Sequence, residues 1–240
     1  MVASRGTTGR RSRFYLAMSF GFLAIALVGF STTFFIPLAR GRFTAPPIIH
    51  IHGALLFSWL LLFIAQATLG DRRQLRTHRR IGTAGGVLAA AIVVSGVLVG
   101  LHATRRDLAA GGDDFVLGQF VNILIEMIVF GALVGAAIVT RRNGESHKRL
   151  LLLATISALA PAWLRFRHLF PAVPSPFVTW SLVADSLLLV AIARDWLVLR
   201  RVHPVYLWAG SAMVAVHLLE LSAITSAPWL RLSRFLLGSQ

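Results

Sequence analysis

Seven apolar stretches run through this chain of 240 residues, with arginine-rich breaks between them. They are Phe14–Leu38, Ile48–Leu69, Ile81–Leu101, Phe115–Thr140, Leu150–Leu164, Phe177–Leu199 and Val205–Thr225. Most approach the ~20 residues that a helix needs to cross a bilayer, and the fifth is short. A chain in hydrocarbon must satisfy its backbone hydrogen bonds within itself, so stretches of this length predict helices. The first stretch is too long for a cleaved signal peptide, lacks a small-residue cleavage site and has six more behind it. Composition agrees: 56% of residues are hydrophobic and 14% charged, against roughly 45–50% and 25% in soluble domains. The expected fold is therefore all-α, a polytopic membrane bundle of seven transmembrane helices.

Lysine and arginine predict how it is threaded. With the N-terminus inside, sixteen of the 24 basic residues fall on the inner side and eight on the outer. The inner loops hold Arg72, Arg73, Arg76, Arg79 and Arg80, then Arg141, Arg142, Lys148 and Arg149, then Arg194, Arg200 and Arg201. This two-to-one bias puts the N-terminus inside and, with an odd number of spans, the C-terminus outside. The chain divides into a basic cytoplasmic tail (1–13), the seven-helix domain (14–226) and a short amphipathic tail (227–240), with a bacterial cytoplasmic (inner) membrane as the expected location. The net charge of +15 fits arginines flanking spans and meeting anionic lipid headgroups, so no nucleic-acid partner is expected. There are no cysteines, which excludes disulfides, thiolate metal sites and cysteine nucleophiles.

Two inner loops look alike. "DRRQLRTHRRIG" and "RRNGESHKRLL" each give a basic run, a small hydroxyl residue, a histidine and two cations before a new helix. Thr77 and Ser146 are the expected N-caps, which places His78 and His147 in the first turn of their helices. The pair reads either as matched ligands, or as residues holding an acidic headgroup or cofactor propionate, or as a duplicated basic hairpin whose histidine is one more interfacial cation. In the second span His52, Trp59 and Gln66 are seven apart, two helical turns, and share one face. His50 lies about 200° round the helix from... that face and belongs at the outer interface.

Ionisable side chains inside a span cost at least ~2.5 kcal/mol each on insertion scales, so those present need a reason. Gln119, Asn122 and Glu126 form one stripe on the fourth span; His217 and Glu220 share a face of the seventh; Asp185 lies in the sixth. Glu126, Asp185, His217 and Glu220 form a candidate metal site, proton relay or polar pocket, or else pack helices together by hydrogen bonding. Trp59, Gln66, Gln119 and Asn122 are candidate pocket-lining residues. Gly82, Gly86 and Ala90, Gly96 and Gly100, and Gly131 and Gly135 repeat at four-residue steps that allow close helix approach. The tail "APWLRLSRFLLGSQ" is expected to lie on the outer surface as an amphipathic turn or two.

At His52-Gly53, "HRRIG" (His78 to Gly82) and "SHKRLLLLAT" (Ser146 to Thr155) the chain resembles a family of uncharacterised bacterial multi-span membrane proteins, over spans two to five. More loosely it is similar to transmembrane b-type cytochromes, which hold haem between histidines on different helices, one pair near each face. That resemblance implies His52 and His102 as outer ligands and His78 and His147 as inner ones. Seven-span metal hydrolases of the ceramidase and adiponectin-receptor type share the topology, but their last-span HxxxH is absent here, where only His217 stands. The first functional expectation is a redox protein binding haem b or a divalent metal. The alternatives are a cofactor-free accessory or assembly subunit of a larger membrane complex, and a small proton-coupled transporter. Expected partners are membrane lipids, and partner subunits or further copies of the chain.

Overall fold

A computed structural model describes residues 5–238, with side chains from Arg13 onward. The side chains of Arg5, Arg10 and Arg11, counted above in the basic tail, lie outside the described residues. Among the described residues there are helices and no strands. Seven helices are long and apolar enough to cross a membrane: α1 Arg13–Ala39, α2 Pro47–Asp71, α3 Leu75–Ala109, α4 Asp114–Val139, α5 Gly144–His168, α6 Pro176–Leu199 and α7 Tyr206–Ala223. A further helix, α8, spans Ala227–Leu237. Large apolar side chains such as Leu61, Val94, Ile128, Val139, Leu189 and Leu219 point outward. A surface of that kind belongs in lipid, and the protein is a multi-pass membrane protein.

α3 and α5 extend well past the stretches expected from the sequence. α3 starts six residues earlier and ends eight later, because its arginines flank the apolar run without interrupting the backbone ladder. α5 begins at Gly144, runs regularly to Ala158, breaks before Pro161 and finishes in a 3-10 turn at Arg165–His168. Proline lacks the N–H that the ladder needs, and its ring crowds the preceding turn. Pro37 acts similarly in α1, where the π-helical turn Ser31–Phe35 absorbs the misfit.

The expected caps are corrected. Thr77 lies inside α3, whose first turn begins at Leu75, and its side chain caps nothing. At α5 the cap is Asn143: its side-chain oxygen accepts from the backbone N–H groups of Glu145 and Ser146, at 3.1 and 3.2 Å. Asn143 reaches the orphan donors of the first turn, whereas Ser146 is already within it.

α5 is the central helix. Five consecutive residues, Leu152 to Ile156, have no exposed surface, as in a helix surrounded on every side. The small-residue steps are used as expected between α3 and α4: Met127 packs against Gly96 and Ile123 against Gly100. At Gly118 of α4 a side chain would collide with the carbonyl of Ile224 at the end of α7. α8 lies against the start of α4. Trp229 Nε1 donates to the Gly118 carbonyl at 2.9 Å, Leu230 and Leu237 pack with Leu117 and Phe120, and Arg234 pairs with Asp114 at 2.8 Å. The loops α2–α3, α4–α5 and α6–α7 share one end of the bundle, called here the basic end.

Candidate functional site

At the basic end a cavity of about 390 Å³ lies among α2, α3, α4 and α5, with Tyr15 of α1 at its edge. His78 and His147 both line it, and their ring centres are 6.4 Å apart. The two lookalike loops therefore bring their histidines to one place. Each ring is held in the same way. His78 Nδ1 donates to the carbonyl of Gln66, 3.3 Å away on α2, and His147 Nδ1 donates to the carbonyl of Ala137, 2.8 Å away on α4. A carbonyl can only accept, so Nδ1 carries a proton in each ring and Nε2 is the nitrogen left to meet a ligand. Metal-binding histidines are oriented in this way by a second partner.

Gln66 returns the contact, its Nε2 donating to the His78 carbonyl at 3.2 Å. Trp59 lines the deeper wall, donating to Thr155 Oγ1 on α5 at 3.2 Å and meeting Phe130 edge-on at 5.1 Å. Leu62, Phe63 and Leu151 add apolar surface, and Lys148 and Glu145 line the cavity near the α4–α5 loop. Thus Trp59 and Gln66 line a pocket as expected, whereas Gln119 borders a different cavity, at the opposite end.

The outer histidines are not drawn together. His52 turns inward on the face it shares with Trp59 and Gln66, its Nδ1 2.9 Å from Ser95 Oγ on α3. His102 is seven residues beyond Ser95, about 10 Å farther along the same helix. His50 packs beside the rings of Phe34 and Phe43, which also meet each other.

The four intramembrane ionisable residues do meet. His217 Nδ1 donates to Asp185, 2.8 Å from Oδ1, and its Nε2 lies 3.3 Å from Glu126 Oε1. Ser157 of α5 donates to the other Glu126 oxygen at 2.9 Å. Glu220 is buried nearby. Both His217 nitrogens thus face carboxylates: Nδ1 is hydrogen-bonded to Asp185, whereas Nε2 stands 3.3 Å from Glu126 with no hydrogen-bond partner. Among the described residues no set of three or more His, Cys, Asp or Glu is placed to hold a metal ion.

One feature went unread in the sequence. Arg149, counted above among the loop cations, is fully buried. Its Nε and Nη2 donate to Asp195 of α6 at 2.9 Å each, and its Nη1 donates to Glu145 at 2.6 Å. Arg194 also donates to Asp195, at 2.6 Å. Asp195, an acid next to Arg194 in an otherwise apolar run near the end of its span, was the available signal. In the α6–α7 loop His203 Nδ1 accepts from the Val205 N–H at 3.2 Å. Burial, and then the Arg149 guanidinium, push its imidazole below the ordinary value.

Compared with protein-family models, curated proteins and solved structures, the chain matches none.

Proposed function

We propose that the protein is a bacterial cytoplasmic-membrane electron-transfer protein that holds a b-type haem between His78 and His147, with its basic end toward the cytoplasm. The observation that carries this reading is the matched pair: two histidines on different helices, each with Nδ1 tied to a backbone carbonyl, both lining one cavity. His78 and His147, with ring centres 6.4 Å apart, would be the two residues that hold the group. Two protein ligands are too few for a bare zinc-type site, which takes three or four. They suffice where a macrocycle supplies the rest.

A haem bound there supplies one-electron redox chemistry. The chain's own residues hold and tune the site. His78 and His147 offer their Nε2 atoms, oriented by the carbonyl bonds at Nδ1. Lys148 offers a cation to an acidic substituent. Trp59, Phe63 and Leu151 keep water from the buried side. The sixteen-to-eight distribution of basic residues supports the cytoplasmic placement of this end.

The test is an absorption spectrum of detergent-purified protein, oxidised and then reduced with dithionite. Reduced b-haem bands are expected in the wild type and in His102→Ala, and are expected to be lost in His78→Ala and His147→Ala while the protein still inserts. A wild type without those bands after purification with added haem overturns the proposal, as does their retention in both inner variants.

A further inference from the structure

The cluster on α4, α6 and α7 is separate from the cavity at the basic end, and electron transfer there does not call on it. It is held by complementary contacts. Asp185 accepts from His217 Nδ1, which lies 2.8 Å from Oδ1 and 3.1 Å from Oδ2. Glu126 faces His217 Nε2 through one oxygen and accepts from Ser157 through the other. His217 Nε2 itself has no hydrogen-bond partner and lies 3.3 Å from Glu126 Oε1, so a proton taken up here has two atoms to choose between. The remaining ionisable neighbour is Glu220, one turn from His217 on α7.

Two acceptors beside this pair lack a donor. Glu220 Oε1 and Asn122 Oδ1 have no hydrogen-bond partner, on residues only 5% and 8% exposed. A buried acceptor left bare is unfavourable, and a proton or a water would supply the missing donor. Three carboxyl groups gather round one imidazole, so the cluster has several atoms that can take up a proton.

One face of α4 leads from the cluster toward a second cavity. Glu126, Asn122 and Gln119 lie on one face of α4, and Gln119 borders a second cavity, of about 510 Å³, at the end opposite the basic loops. Thr104, Asp107 and Arg167 line that cavity too. In the other direction the way is closed: Phe130, one turn beyond Glu126, is 1% exposed and packs edge-on against buried Trp59.

We infer that Glu126, His217 and Asp185 form a membrane-embedded proton-binding site, loaded from the cavity at the end opposite the basic loops through Gln119 and Asn122, and sealed from the basic end by Phe130 and Trp59. The proton comes from water in that cavity and is held as O–H on Glu126 or N–H on His217, with no other bond changed. Glu220 offers an oxygen that steadies it, and Asn122 only passes it on from Gln119. The site stands without any ligand between His78 and His147.

Infrared difference spectra in lipid nanodiscs, between acid and alkaline buffer, test this directly. They are recorded with and without haem reconstitution, so a failed haem proposal leaves the readout intact. A protonated-carboxyl band that shifts in heavy water is expected in the wild type and expected to be missing in Glu126→Gln. Asn122→Leu and Gln119→Leu are expected to keep the band but to exchange its proton about tenfold more slowly, equivalent to about 1.4 kcal/mol on the barrier. Carbodiimide labelling of the wild type, mapped by peptide mass spectrometry, is expected to mark Glu126 and serves where a variant does not fold. A wild type with no such band, a band untouched by Glu126→Gln, or labelling that spares Glu126 overturns the proton site. Exchange at the wild-type rate in both leucine variants overturns the route.

Discussion

Replacing Asp195 with asparagine keeps the shape of the side chain and removes its charge. Asp195 is fully buried and accepts two bonds from Arg149 and one from Arg194. Without it the Arg149 guanidinium stays fully buried, facing only the partly exposed Glu145. Breaking a buried pair by removing one partner costs about 3–5 kcal/mol, because the surviving charge is uncompensated. Asparagine keeps one acceptor oxygen, so of the two Arg149 bonds one is lost outright, at roughly 1.5–3 kcal/mol, and the other loses its charged acceptor. Removing the half-exposed carboxylate with Glu145→Gln should cost no more than about 1 kcal/mol, since water screens that pair. The assay is unfolding of detergent-purified protein in a denaturing-detergent titration, with Tm as a second readout. The double variant Arg149→Met/Asp195→Leu should be more stable than the sum of its single changes predicts, because no unpaired guanidinium remains at Arg149. If Asp195→Asn proves no more harmful than Glu145→Gln, or the double variant is merely additive, then the pair is not a buried tie between α5 and α6.

Four further outcomes follow from the same geometry. Asn143→Ala should destabilise the protein by about 0.5–2 kcal/mol through the lost cap, whereas Thr77→Ala should leave Tm nearly unchanged. Gly118→Ala should cost about 1–3 kcal/mol, because its methyl group meets the Ile224 backbone and α7 must shift; an unaltered Tm would contradict that close approach. Trp59→Phe keeps the ring and loses the donor to Thr155, so a loss of about 1 kcal/mol is expected in the same titration. His203 has a lowered pKa in the folded protein, so its contribution is present above its ordinary value of 6.5 and is lost as pH falls through the lower folded value. His203→Asn should therefore flatten the acid side of the stability profile, and an unchanged profile would argue against it.

Much of the candidate chemistry could be read locally. The common face of His52, Trp59 and Gln66 follows from a seven-residue step, and all three turn inward, to Ser95, Thr155 and His78 respectively. The lookalike loops announced His78 and His147 as a pair because the same loop sets the same helix start. Spacing along one helix says nothing about its neighbours, however. The expected partnership of His52 with His102 failed for that reason: both lie toward the same end, at different heights. Arg149 was hidden by the opposite problem. An arginine in a basic loop and an arginine in a buried ion pair look identical until its acid, Asp195, is brought alongside from a span 46 residues away.

The sequence by itself determined seven membrane-spanning helices, because their length and apolarity leave the backbone no other way to satisfy itself in lipid. It also determined which positions share a helical face, since 3.6 residues per turn is a local property. Only the tertiary structure decided which faces meet. It placed α5 at the centre, gathered His217, Asp185, Glu126 and Ser157 from four helices, and gave His78 and His147 a common cavity. Helix order and rotation depend on packing between surfaces far apart in the chain, and no local pattern encodes them.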